Sequence, residues 1–144
     1  MAVIHDVMPA YELFQPTDVE SAITLLREHG SGARVLAGGM DTWDWLKDRT
    51  KRVSALVDLG AIPELQQITA TADGIEIGSM VSVTTVVRNP DIMSRFKLLS
   101  DAAVKVASPQ IRNQGTIGGN VNQDARCWYY RAGWPCYRAG GNIC

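Results

Sequence analysis

The sequence predicts an α+β protein of two subdomains, a small parallel βαβ unit followed by an antiparallel sheet with helices. Three observations carry that expectation. Two short apolar runs, "RVLA" and "VSALVDLG", flank the helix-like "MDTWDWLKDR", the pattern of parallel strands joined by a crossover. The stretch "QQITATADGIEIGSM" alternates in polarity about Asp73-Gly74, a hairpin signal that calls for antiparallel strands. Helical periodicity then dominates "SVTTVVRNP" and "IMSRFKLLSDAAVKVAS". The texture changes after "IPEL", so the expected divisions are residues 1–60, 61–125 and a cysteine-rich 126–144.

Taken in order, "PTDVESAITLLREHG" reads as a helix. Thr17 with Glu20 three residues on forms a capping box, and Gly30 stands where the chain should leave the helix. Val19, Ala22, Ile23 and Leu26 recur at helical spacing and define its expected buried face. His29 is placed only to favour the helix C-terminus. Gly38-Gly39 joins the first strand to the next helix. In the second half Asn89-Pro90 ends a short helix, Phe96, Leu99, Ala103 and Val106 are candidate core positions of the following one, and Pro109 stops it.

With 144 residues, 46% hydrophobic and 20% charged, the chain can bury one core or two small ones. A formal net charge of -1 argues against nucleic acid as a partner. No apolar run has the length of a membrane span, and the N-terminus lacks the basic and apolar regions of a secretory signal. A cytoplasmic, reducing compartment is the expectation. Charge is uneven, because from residue 126 onward there are three arginines, Arg126, Arg131 and Arg138, and no carboxylate side chain. His5 and His29 have no acid–base constellation around them.

Two glycine segments stand out. Gly38-Gly39, between strand and helix, lets backbone N–H groups approach an anion beside a helix N-terminus, although a plain tight turn has the same composition. The segment lacks the Gly-Lys-Ser/Thr ending of a Walker A loop, and no GxGxxG occurs in the chain. The second, "SPQIRNQGTIGGNVNQD", reads as a loop rich in backbone and side-chain hydrogen-bonding groups with little apolar surface. Two Gly-Gly joints in one small protein suit a ligand with two phosphates.

"VLAGGMD" followed by a helix, "LVDL" and then "IRNQGTIGGN" resembles the FAD-binding subunit of molybdenum hydroxylases, the group that includes xanthine dehydrogenases and aerobic carbon monoxide dehydrogenase. The resemblance implies a two-part FAD-binding fold of the vanillyl-alcohol oxidase type, with the pyrophosphate held between both glycine segments. On that basis Ala37, Gly38, Gly39, Met40 and Asp41 match the first FAD loop, and Thr116, Ile117, Gly118, Gly119 and Asn120 the second. Asp124 matches an acidic residue toward the ribose or adenine end. Met40 departs from the small or polar residue usual there, so one side-chain hydrogen bond to phosphate is lost while the backbone cradle stays.

All three cysteines, Cys127, Cys136 and Cys144, lie in the tail with the spacing C-x8-C-x7-C. That spacing fits neither a zinc ribbon nor a ferredoxin run. From the residues alone they are unrelated structural thiols, a disulfide disfavoured by compartment, or ligands of an iron–sulfur cluster whose negative charge the three arginines offset. The resemblance favours the last. A minority of these flavin subunits, similar to those of 4-hydroxybenzoyl-CoA reductase and a bacterial aldehyde oxidoreductase, carry a cysteine-rich 4Fe-4S insertion after the "GGN" segment. Cys127, Cys136 and Cys144 match three of its ligands, with the fourth expected beyond residue 144, so the chain is expected to be an N-terminal portion lacking the C-terminal part of the fold.

The implied function is an oxidoreductase subunit without catalytic side chains of its own. It passes electrons between iron–sulfur centres and an external acceptor, beside a 2Fe-2S small subunit and a molybdopterin large subunit. A stand-alone flavin-dependent oxidase and a non-enzymatic metal-binding or assembly module are the alternatives.

Overall fold

The computed structural model describes residues 7–144, so His5 lies outside the described residues. Strand β1 (Glu12–Phe14) leads through α1 (Val19–His29) to β2 (Ala33–Leu36), then through α2 (Met40–Lys47) to β3 (Ala55–Asp58). The three strands are parallel in the order β1-β3-β2, with Glu12 and Ala33 both opposite Ala55. Ala55, Leu56 and Val57 of the central strand are fully buried, as a parallel strand covered on both faces must be. The βαβ expectation holds, and β1 adds a third strand that the short "ELF" run was too brief to announce.

Helix α1 is capped by Asp18 rather than Thr17. The Asp18 carboxylate accepts from the Ser21 N–H at 2.7 Å, and a carboxylate reaches the first turn as well as a threonine hydroxyl does. Gly30 closes the helix at φ 51°, as expected. Its buried face is Val19, Ala22, Leu25 and Leu26, which pack with Val57, Ile62 and Leu65, while Ile23 is exposed. The apolar stripe is wider than four positions, and the sheet selects the Leu25 side of it.

The chain then forms the antiparallel pair β4 (Ile68–Ala70) and β5 (Ile75–Ile77), as Asp73-Gly74 predicted. The Thr71 N–H donates to the Gly74 carbonyl and the Thr71 hydroxyl accepts from the Gly74 N–H, both at 3.0 Å. Five short helices follow: α3 (Val83–Arg88), α4 (Pro90–Arg95), α5 (Lys97–Val104), α6 (Pro109–Gln114) and α7 (Ile117–Val121). The single helix expected across residues 92–108 is broken at Phe96, whose φ of -129° and ψ of 49° leave the helical region. Asn89 both ends α3 and caps α4, and Pro109 opens α6 instead of only stopping the helix before it, because proline suits the first helical position. A second core of Val81, Val83, Val86, Ile92 and Ala103 collects Phe96, Leu99, Val106 and Ile117 around it.

The "SPQIRNQGTIGGNVNQD" stretch, expected as a loop, folds into α6 and α7, capped by Ser108 and Thr116. The tail adds α8 (Trp128–Arg131). Among the described residues no helix is long and apolar enough to cross a membrane.

Candidate functional site

Gly39 caps α2 at φ 79°, a left-handed backbone that glycine adopts without steric cost. Among the described residues no side chain caps this helix and no acceptor is bonded to the N–H groups of its first turn, which have none within the helix. Gly38 brings this joint against the other glycine segment. A Cβ on Gly38 would lie 2.9 Å from the Gln114 carbonyl carbon and 3.1 Å from Gly115 Cα, so only glycine permits the approach. A Cβ on Gly119 would lie 4.0 Å from the Ala37 methyl group.

Between the two segments opens a cavity of about 570 Å³, the size of a pocket for a substantial organic ligand. Ala37, Gly38, Gly39, Met40 and Asp41 line one side, and Thr116, Gly118, Gly119 and Asn120 line the other. Ile117 instead packs into the second core, and Asp124 is outside the lining. Thr42, Ser79, Met80, Arg34, Trp45 and Arg126 also line the cavity. Sequence reasoning passed over the first five as site residues and placed Arg126 beside the thiols rather than at this cavity. The available signal for Ser79 and Met80 was Gly78, whose Cβ would run into the backbone of Leu65, marking a tight exit from β5.

The two glycine segments differ in how their amides are used. Ile117 N–H donates to the Val81 carbonyl at 2.8 Å, Gly118 N–H to the Ser79 carbonyl at 2.9 Å, and Gly119 N–H to the Thr116 hydroxyl at 3.1 Å. The second segment is therefore a wall stitched to the β5–α3 connection, while the cavity's backbone donors without an acceptor among the described residues lie at the N-terminus of α2. That terminus favours negative charge. Met40, 37% exposed, offers the cavity a thioether in place of a hydrogen-bonding side chain.

The cationic tail folds back onto α2. Asp41 Oδ1 accepts from Arg126 Nη2 at 2.9 Å and from Arg131 Nη2 at 3.5 Å. Asp124 pairs with Lys51 and with Arg138. Burial pushes the Asp124 carboxyl up, but Lys51, the Ala125 N–H and Arg138 outweigh it and hold its pKa down at about 2. Arg34 and Lys51 each lie 4.1 Å from the centre of the Trp45 ring, a cation–π arrangement around a buried indole. Burial lowers the Arg34 guanidinium, against the nearby charges of Asp124, Tyr130 and Asp41. The Trp45 Nε1 is buried without a hydrogen-bond partner among the described residues.

Cys127 and Cys144 are exposed and Cys136 is half-buried, all as free thiols. Cys136 bridges to Ile143 through the backbone. Among the described residues no three His, Cys, Asp or Glu side chains are gathered as a metal ion requires.

Residues 9–132 match the family described as the FAD binding domain in molybdopterin dehydrogenase. The carbon monoxide dehydrogenase medium chain of Hydrogenophaga pseudoflava is 36% identical over 115 residues, which cover 80% of this chain and 40% of the relative. The aldehyde oxidoreductase FAD-binding subunit PaoB of Escherichia coli is 33% identical over 122 residues, 83% of this chain and 37% of PaoB. In structure, the Hydrogenophaga pseudoflava enzyme superposes with a TM-score of 0.78 at 36% identity, over 80% of this chain and 40% of that one. Quinoline 2-oxidoreductase from Pseudomonas putida 86 gives 0.75 at 30% identity, over 78% and 39%. The chain thus spans about two fifths of the length of the relatives it matches. With the glycine-lined cavity inside the matched residues, the chain belongs to the family of FAD-binding domains of molybdopterin dehydrogenases.

Proposed function

We propose that this chain is the FAD-binding part of an electron-transfer flavoprotein subunit, working in a molybdenum-containing dehydrogenase complex with 2Fe-2S and molybdopterin partner subunits. The observation that carries the reading is the uncapped N-terminus of α2, open to a cavity walled by the second glycine segment. A dinucleotide diphosphate fits that donor set, because orphan N–H groups and the helix dipole both favour an anion. FAD, when bound, supplies the redox chemistry. The residues of this chain bind and orient it. Gly38 and Gly39 admit the phosphates to the backbone, the first-turn N–H groups of α2 donate to them, and Thr116 to Asn120 close the opposite wall. This division differs from a symmetric cradle, since the amides of Ile117, Gly118 and Gly119 already have acceptors.

The residue assignments made from sequence enter the proposal with that difference. Ala37, Gly38, Gly39, Met40, Thr116, Gly118, Gly119 and Asn120 line the ligand cavity. Ile117 supports the wall from the core, and Asp41 and Asp124 hold cations of this chain. Cys127, Cys136 and Cys144 remain three candidate ligands for a 4Fe-4S cluster, supported by their clustering in the tail and by the three arginines beside them. As placed, the thiols do not form a metal-binding group, so no electron-transfer step is assigned to them.

The test is the cofactor content of the purified protein. Stoichiometric FAD released on denaturation, with co-purification of a molybdenum-containing subunit, supports the reading. A colourless protein that takes up no FAD refutes it. Iron and acid-labile sulfide analysis decides the cluster separately.

A further inference from the structure

We propose that Arg126 and Arg131 of the cysteine-bearing tail are positioning residues of the dinucleotide site, acting through Asp41 so that diphosphate binding and tail docking strengthen each other. The inference rests on the FAD reading above. Asp41 stands in the first turn of α2, beside the uncapped N–H groups, and lines the cavity. A bare carboxylate there would repel an incoming diphosphate. Arg126 and Arg131 both donate to its Oδ1, and Arg126 itself lines the cavity. Two guanidiniums on one carboxylate leave an excess of positive charge where the helix terminus already favours anions.

The tail's docking depends on these contacts. Four of its five aromatic residues are exposed, Trp128 at 85% and Tyr137 at 69%, only Tyr130 is half-buried, and α8 is four residues long. Among the described residues the polar contacts that fasten it to the rest of the chain are the pair at Asp41, the Arg138–Asp124–Lys51 cluster, and a hydrogen bond from the Thr50 hydroxyl to the Arg131 carbonyl at 3.2 Å. An anion bound at α2 therefore adds attraction for the same arginines. Thermodynamic linkage makes the effect reciprocal: whatever factor the docked tail contributes to diphosphate affinity, bound diphosphate contributes to docking.

The experiment has two arms on the intact chain. In the first, wild-type protein is digested with trypsin, alone, with FAD and with riboflavin, which has no diphosphate, and cleavage after Arg126 and Arg131 is timed. FAD is expected to slow it about tenfold, within the usual range of coupling between sites, and riboflavin to leave it unchanged. In the second, FAD affinity is titrated for Arg126→Ala/Arg131→Ala and for the charge-keeping Arg126→Lys/Arg131→Lys. The alanine pair should bind about tenfold more weakly, the lysine pair should recover most of the loss, and the difference should shrink in high salt. Should the alanine pair fail to fold, the wild-type digestion still decides. If the wild type binds FAD while cleavage ignores FAD, or alanine and wild type bind alike, the inference is overturned and the FAD reading stands. If the wild type binds no FAD at all, the reading beneath it has failed.

Discussion

Gly38→Ala tests whether the cavity exists because two backbones touch. The new methyl carbon would sit 2.9 Å from the Gln114 carbonyl carbon, closer still to its oxygen, and 3.1 Å from Gly115 Cα. Carbon atoms rest at about 3.5–4.0 Å, so the segments must separate by roughly 0.6 Å or more. The obstacle is backbone, and it is anchored. Gly115 N–H donates to the Ile111 carbonyl at 2.6 Å, and Val83 N–H donates to the Gly115 carbonyl at 2.9 Å. No flexible side chain can yield, so the cost belongs at the upper end of overpacking, about 2–3 kcal/mol. The same displacement misaligns the amides of α2 with a ligand on the opposite wall, and a loss of about 1.4 kcal/mol there is a tenfold weaker affinity. Urea unfolding followed by tryptophan fluorescence gives the first quantity, and FAD titration the second. Gly74→Ala is the control, since its Cβ would meet only the Thr71 hydroxyl, at an ordinary 3.9 Å. A Gly38→Ala protein within about 0.5 kcal/mol of wild type, binding FAD normally, would refute the claim that this contact builds the site.

The remaining predictions separate stability from binding. Thr116→Ala removes the hydroxyl that accepts from the Gly119 N–H and caps α7, so it should cost about 1 kcal/mol and also weaken FAD binding in the same titration. Asn89→Ala removes the α4 cap, whose side-chain oxygen accepts from the Ile92 N–H at 3.0 Å. It should lose about 1 kcal/mol in urea unfolding with unchanged FAD affinity, because Asn89 lies outside the cavity. For Asp124 the folded pKa, about 2, lies below the ordinary carboxyl value of 3.8, so its ionised form stabilises the fold above that value and the contribution is lost as pH falls toward 2. The stability gap between wild type and Asp124→Asn, followed as Tm against pH, should be widest above pH 4 and close at the acid end.

The elements with strong local patterns were legible: α1 from its stripe, the hairpin from Asp73-Gly74, the parallel strands from two apolar runs about a helix. The errors share a cause, which is that sequence pattern shows what a segment can do and tertiary contacts choose among the options. Leu25 and Ile23 are equally apolar, and the position of the sheet half-buries Leu25 against the core and leaves Ile23 exposed. Phe96 looked like one core position within a long helix, and by packing under α3–α5 it becomes the break between two helices. The five-residue α7 contains two glycines, which disfavour helix, and its Thr116 cap and its bonds to Ser79 and Val81 override that preference. Most cavity residues on the two glycine segments were readable from the motifs. Arg126, Trp45 and Ser79 were not, because their place depends on how distant segments meet.

The two Gly-Gly pairs look equivalent in sequence and are physically opposite. Gly39 takes a left-handed backbone, ends the strand-to-helix turn, and leaves the first-turn amides of α2 without acceptors among the described residues. Gly118 and Gly119 lie inside a helix, where their amides are already paired, and the missing side chain of Gly118 allows close approach to Ser79. The first pair supplies donors and, at Gly38, a close backbone approach, and the second supplies a wall whose amides are paired. The carboxylates divide in a similar way. Asp41 and Asp124 look in sequence like groups that meet a ligand, but both are engaged by basic side chains of this chain, including the tail arginines. An acidic residue beside an anion site is tolerable only when it is neutralised, and the sequence with the most arginine and no carboxylate is the tail that does so. The cationic tail and the acidic glycine joint are therefore two halves of one electrostatic arrangement, and a change to either should be read at the other.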